Sequence, residues 1–181
     1  MNLICFGDSN GYAFEKFLVE RGIRIERRSV PGTQMRQIFW SILRAWRLHP
    51  HTVIFDGGGN DLQAGTPLRK TLFYFRLSCW AIKLLQPQKV IFLGIVPIDN
   101  DKGKHAILGP DEVTFTNCHL REVCKEFRYI FIDVFNALRD DSGEMADEHS
   151  LDGLHIGDDG MGDILALVYA HYREGRVRWR L

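Results

Sequence analysis

The sequence predicts an α/β protein: a three-layer α/β/α sandwich around a five-stranded parallel sheet, of flavodoxin-like type. Three observations predict it. Short apolar runs recur along the chain. Longer stretches with helical apolar spacing separate them. Turn-forming segments rich in Gly, Asp, Asn and Ser directly follow several of the runs. Strands that alternate with helices long enough to cross over them give a parallel sheet covered on both faces.

The elements follow in order. Residues 3–6 are apolar and read as a buried strand, and residues 12–21 as a helix. Residues 23–28 alternate apolar and basic side chains, the mark of a more exposed strand. From 34 to 47, Met35, Ile38, Phe39, Ile42, Leu43 and Trp46 fall on one helical face. Residues 52–56 are β-branched and apolar, and form the third strand. A long helix follows over 67–85, with Pro67 in its first turn. Residues 90–96 make the most apolar strand, 111–127 a helix and 129–134 the last strand. A final helix over 160–172 turns Met161, Ile164, Leu165, Val168 and Tyr172 inward. No repeat, low-complexity tract or linker divides the chain, so residues 1–181 are expected to form one domain.

Composition narrows the function. The 181 residues carry no formal net charge, which argues against nucleic acid as the main partner. Arginines do cluster, at Arg21, Arg24, Arg27 and Arg28 and again at Arg173, Arg176, Arg178 and Arg180. These read as solvated surface, with docking to an anionic partner as the alternative. Cys5, Cys79, Cys118 and Cys124 form no CxxC pair and read as mostly buried free thiols, with one disulfide as the alternative. The N-terminus lacks the basic start and cleavage site of a signal peptide, and no run approaches the roughly 20 apolar residues of a membrane span. A cytoplasmic protein is expected.

In an open parallel sheet, ligands bind beyond the carboxyl ends of the strands, near the point where the strand order reverses. Four short segments stand out, three of them directly after a strand. Phe6-Gly7-Asp8-Ser9-Asn10 places a serine hydroxyl at a strand-to-helix turn, beside amides that can hold a developing negative charge. A simple helix cap is the competing reading, since Ser, Asp and Asn are common there. Ser29-Val30-Pro31-Gly32-Thr33 offers the bare amide of Gly32, or only a turn. Asp56-Gly57-Gly58-Gly59-Asn60-Asp61 lets the backbone approach a ligand and supplies the side-chain amide of Asn60. It matches neither GxGxxG nor GxxxxGK[ST], so a phosphate loop is disfavoured. Asp152-Gly153-Leu154-His155 spaces a carboxylate to reach an imidazole, fix its tautomer and stabilise its charged form.

Together these segments resemble the SGNH (GDSL-like) hydrolase family, through FGDSN, the glycine of VPGT, GGND and DGLH. The resemblance runs from residue 7 to residue 155. It implies an SGNH hydrolase fold, with Ser9 as nucleophile and Asp152 and His155 as its triad partners. It implies an oxyanion hole made by the Ser9 amide, the Gly32 amide and the Asn60 side chain. Asp8, Gly58 and Asp61 would support these groups. No metal or organic cofactor is implied. In the family a backbone carbonyl can partly replace the triad carboxylate. Two positions depart from the family pattern: Asn10 stands where leucine is frequent, and Ile156 where many relatives have proline.

The implied activity is hydrolysis of a small-molecule, glycan or lipid acyl ester. An acyltransferase with the same triad and an inactive binding module are the alternatives, and the sequence is silent on oligomeric state. His149, Asp152 and His155 recur every third residue, but the serine constellation accounts for two of them, so a metal site is not expected. The aromatic segment over 72–80 (Phe73, Tyr74, Phe75, Trp80) reads as helix core, or alternatively as an acyl pocket. Residues 97–110 form a longer loop near the expected crevice and a candidate substrate wall.

Overall fold

The computed structural model describes residues 2–98 and 109–174. Five strands form one sheet: β1 (Leu3–Phe6), β2 (Ile25–Arg27), β3 (Thr52–Asp56), β4 (Lys89–Leu93) and β5 (Ile130–Ile132). Their order is β2-β1-β3-β4-β5, and every neighbouring pair is parallel. Leu3 pairs with Ile25 on one side and Thr52 on the other, so β1 is the strand from which the chain departs in both directions. The switch point lies between the carboxyl ends of β1 and β3.

Helices α1 (Ser9–Glu20) and α7 (Asp158–Glu174) cover one face with the short α6 (Val134–Leu138); α2 (Met35–Arg44), α4 (Leu68–Leu84) and α5 (Pro110–Phe127) cover the other. Strand side chains divide by alternation. Ile4, Phe6, Val53, Phe55 and Phe92 pack with Met35, Ile42, Phe75 and Leu120. Cys5, Ile54, Ile91 and Ile132 pack with Phe14, Leu18, Met161 and Ile164. Every residue of β3 is buried, which is why it reads as a continuous apolar run, whereas the edge strand β2 alternates and is largely exposed. Phe92 meets the rings of Phe55 and Phe75 edge-on at 4.8 and 4.7 Å, an arrangement worth about 1 kcal/mol per pair beyond burial.

The strands and long helices fall where the sequence places them, and the differences have local causes. Helix α1 starts at Ser9 rather than at residue 12, because Asp8 caps it and accepts the Asn10 amide at 3.0 Å. Helix α2 stops at Arg44, which leaves Trp46 half exposed rather than inward. The last strand ends at Ile132, because Asp133 caps α6 through the Asn136 amide. The glycine segment contains a further short helix, α3 (Gly59–Gln63). Cys5, Cys79 and Cys124 are buried free thiols, and Cys118 is an exposed one. No helix among the described residues is long and apolar enough to cross a membrane. Most of the 97–110 loop lies outside the described residues, as do His105, Arg176, Arg178 and Arg180.

Candidate active site

Ser9 is the first residue of α1, at the carboxyl end of β1. Its amide therefore has no acceptor within the helix and stands at the positive end of the helix dipole. Asp8, just before it, is buried and does two things. One oxygen caps α1; the other accepts Asn60 Nδ2 at 3.3 Å.

Asn60 reaches this place because α3 begins immediately after β3. Gly58 makes the turn with φ of 104°, a conformation in which a side chain is strained. Asn60 also donates from Nδ2 to the Thr33 carbonyl at 3.0 Å. Asp61 accepts the Met35 amide at 2.7 Å and the Thr71 hydroxyl at 3.4 Å, and so ties α3 to α2 and α4. The Thr33 hydroxyl in turn donates to the Gly7 carbonyl at 3.1 Å. The turn that carries Gly32 is thereby sewn to the end of β1. Gly32 itself is exposed at φ of 77°.

The fourth segment is a loop that closes on itself. Ser150 and Ile156 form an antiparallel bridge, and the Leu151 amide donates to the His155 carbonyl at 2.8 Å. Asp152 accepts from His155 Nδ1 at 2.8 Å, and its second oxygen takes the His155 and Leu154 amides at 2.8 and 3.0 Å. This fixes the tautomer that leaves Nε2 free to act as a base. Desolvation pushes the Asp152 carboxyl up, but the bonds from His155 and Leu154 outweigh it and hold the group below its ordinary value. Among the described residues no hydrogen bond joins Ser9 to His155, an arrangement common before substrate tightens a site.

A cavity of about 40 Å³, room for a few waters, lies against Ser9, Asp8, Asn60, Gly94, Ile95 and Leu154. Gly32 is not part of its wall, although the neighbouring Thr33 holds Asn60. The aromatic residues over 72–80 are not part of it either. Phe75 is core, while Phe73 and Trp80 face solvent, so the acyl-pocket reading of that segment is overturned. The helix points only one of its faces inward. His149 pairs with Asp163 at 3.1 Å and lies 3.4 Å from the Leu138 carbonyl.

The model of the GDSL-like Lipase/Acylhydrolase family matches residues 5–162. The chain belongs to that family. No curated protein sequence matches it. Solved GDSL-type structures share its fold. A GDSL-like lipase from Bacteroides thetaiotaomicron superposes with a TM-score of 0.82 at 16% identity, over 96% of this chain and 88% of that one. A putative acylhydrolase from Bacteroides fragilis gives 0.81 at 16%, over 96% and 87%. The acetylxylan esterase Axe2 from Geobacillus stearothermophilus gives 0.71 at 15%, over 99% and 96%.

Within this GDSL-like hydrolase, the two departures from the family pattern meet. The Ile156 amide donates to Asn10 Oδ1 at 3.3 Å, across 146 residues of sequence. A leucine at 10 has no acceptor to offer, and a proline at 156 has no amide to give. The bond fastens the histidine loop to the first turn of α1, one residue from Ser9. Sequence reasoning also passed over Asp56, a buried carboxyl at the end of β3 that accepts the Gly11 amide at 3.1 Å and lines the same cavity. Its signal was a lone acid closing an otherwise apolar run.

Proposed function

We propose that this GDSL-like hydrolase cleaves carboxylic esters of small acyl groups, with residues 1–181 acting as one catalytic domain and Ser9, His155 and Asp152 as its triad. The Ser9 hydroxyl attacks the acyl carbon while His155 Nε2 takes its proton. The amides of Ser9 and Gly32 and the Asn60 side chain bind the tetrahedral oxyanion. His155 then protonates the departing alcohol. A water, activated by the same nitrogen, releases the acid and frees Ser9. Asp152 holds the imidazole and stabilises its charged form. Asp8 and Asp61 hold the donors in place, and Gly58 allows the turn between them. No cofactor enters these steps.

One observation carries the reading: the Asp152–His155 pair is tethered through Ile156 and Asn10 to the helix turn that begins with Ser9. The small cavity favours an acetyl-sized group over a long chain. The similarity to an acetylxylan esterase supports the same choice.

The test is hydrolysis of p-nitrophenyl acetate, butyrate and octanoate by wild type and Ser9→Ala. Wild-type turnover that is highest on acetate and absent in the variant is expected, together with fluorophosphonate labelling of wild type alone. No turnover and no labelling in wild type would refute the hydrolytic triad. Turnover retained by Ser9→Ala would refute Ser9 as nucleophile.

A further inference from the structure

Two neighbouring helices on one face of the sheet are basic on their outward sides and carry no carboxylate. Between Glu26 and Asp99 the acids are Asp56 and Asp61, and both are buried. Lys and Arg recur through the same span. The whole chain has 23 bases and 23 acids, so net charge conceals this polarity. Helices α2 and α4 each run from the carboxyl end of one parallel strand back to the start of the next, so they point the same way. They lie side by side, and the ring centroids of Phe39 and Tyr74 are 6.3 Å apart between them.

Helical spacing sorts the outward residues. On α2 and the turn after it, Arg36, Trp40, Arg44 and Arg47 recur every three or four residues, and all are exposed. On α4, Arg69, Phe73, Arg76, Trp80 and Lys83 do the same. Cations and aromatic rings are thus interleaved on both ridges. Trp40, Phe73 and Trp80 are 49, 56 and 60% exposed, and Leu84 is 59% exposed. Large apolar side chains gathered on adjoining ridges form a patch, unlike the scattered single residues of an ordinary surface. Lys83 Nζ stands 4.7 Å from the Trp80 ring centroid, so charge and ring share one level above the helix. Among the described residues no carboxylate pairs with Arg36, Arg44, Arg47 or Arg69. Arg76 is the exception, held by Glu126 on α5. Glu122 and Glu126, both exposed, make α5 the acidic border of the patch.

We propose that this face of α2 and α4 is a docking surface for an anionic phospholipid bilayer. A bilayer interface offers charged headgroups outside and the start of the acyl chains just beneath. Lys and Arg are drawn to the first. Trp settles at the boundary, and Phe and Leu on the same ridges enter the second. Two helices side by side present a broad, low surface that suits a plane. A nucleic acid would also answer to the charge, but a stacking strand gains nothing from Leu84 and is held in a groove rather than on ridges. The N-terminal ends of both helices stand at the catalytic edge of the sheet, where Gln34 Nε2 donates to Thr66 Oγ1 at 3.5 Å. A docked molecule therefore keeps its candidate site at the rim of the contact, open to substrate. The docking surface stands whether or not the chain hydrolyses esters.

The test is sedimentation of the full chain with vesicles of phosphatidylcholine alone and of phosphatidylcholine with about one-third phosphatidylserine. Binding to the second should exceed binding to the first by about tenfold or more. It should weaken as salt rises and be accompanied by a blue shift of tryptophan emission. Two double variants, Trp40→Ala with Trp80→Ala and Arg36→Glu with Arg69→Glu, should each lower partitioning onto the anionic vesicles about 10-fold or more. Their urea midpoints should stay near that of wild type, because all four side chains are exposed. Tyr169→Ala, which removes an exposed ring on α7 across the sheet, should bind as wild type does. No binding to either vesicle, equal binding to both, or unchanged binding by the double variants would overturn the proposal. So would tighter binding of a fluorescent single-stranded oligonucleotide that the same variants lose, which would give the face to nucleic acid. The double variants act through different chemistry, so if one failed to fold the other would decide.

Discussion

The two halves of the site are held in opposite ways. The turn that carries Ser9 is largely buried and fixed by long-range bonds: Asp8 to Asn60, Asp56 to Gly11, Thr33 to Gly7. The histidine loop is half-exposed and fixed mainly by itself, through bonds between residues three or four apart. Its tie to the rest of the site is the bond from Ile156 to Asn10. The half that carries Ser9 and Asn60 is thus tied to the sheet, while the loop of His155 is tied mainly to itself. A reaction that needs a fixed charge-binding site and a base that accepts and returns protons suits that division.

The sharpest way to break this contrast is His155→Ala. Kcat on p-nitrophenyl acetate should fall by about 10⁴-fold or more, while the urea midpoint stays close to that of wild type. A large loss of stability would show that the loop is not peripheral. Gly7→Ala, on the other side, should destabilise the fold by about 3 kcal/mol or more, because its methyl would overlap the Asp56 carboxyl. A variant as stable as wild type would mean that the turn is looser than described.

The tether permits a finer test. Asn10→Leu and Ile156→Pro should each lower kcat by about tenfold, and the double variant should lose little more than either alone. Strict additivity would separate the two residues. The smallest effect is in pH. The Asp8 and Asp56 acids lie above their ordinary value, so between about pH 4 and their raised values the native state holds protons that the unfolded chain has lost. Their contribution to stability is present below that window and declines as pH rises through it. Asp152 lies below its ordinary value, so its contribution is present above about pH 4 and is lost as pH falls through the lowered value. Asp56→Asn should flatten the decline above pH 4 in urea unfolding and leave the acid limb unchanged; an unaltered decline would place its origin elsewhere.

The same division governs what could be read from the sequence. Local signals were legible. The sheet showed in its apolar runs, and the Asp152–His155 pair in its i,i+3 spacing. Gly58 and Asn60 stood out as a glycine-rich turn after a strand. Long-range contacts were not legible. Nothing local announces that Asn10 will meet Ile156, or that Asp56 will accept the Gly11 amide. A single acid ending a buried strand has no periodic signature, because its partner comes from the helix after a neighbouring strand. The aromatic segment over 72–80 misled for a related reason. Phe75 and Cys79 share the inward face, while Phe73 and Trp80 occupy the outward one, and composition alone does not separate the faces.

The tether between Asn10 and Ile156 also sets an order of events during synthesis. Chains emerge from the ribosome N-terminus first. Ser9 is therefore made before the loop of His155, which is translated 146 residues later. Through that interval β1 can pair with β2 and then β3, and Asn60 can reach Asp8 and Thr33 before His155 exists. The two halves of the candidate site thus meet only after all five strands of the sheet have been made.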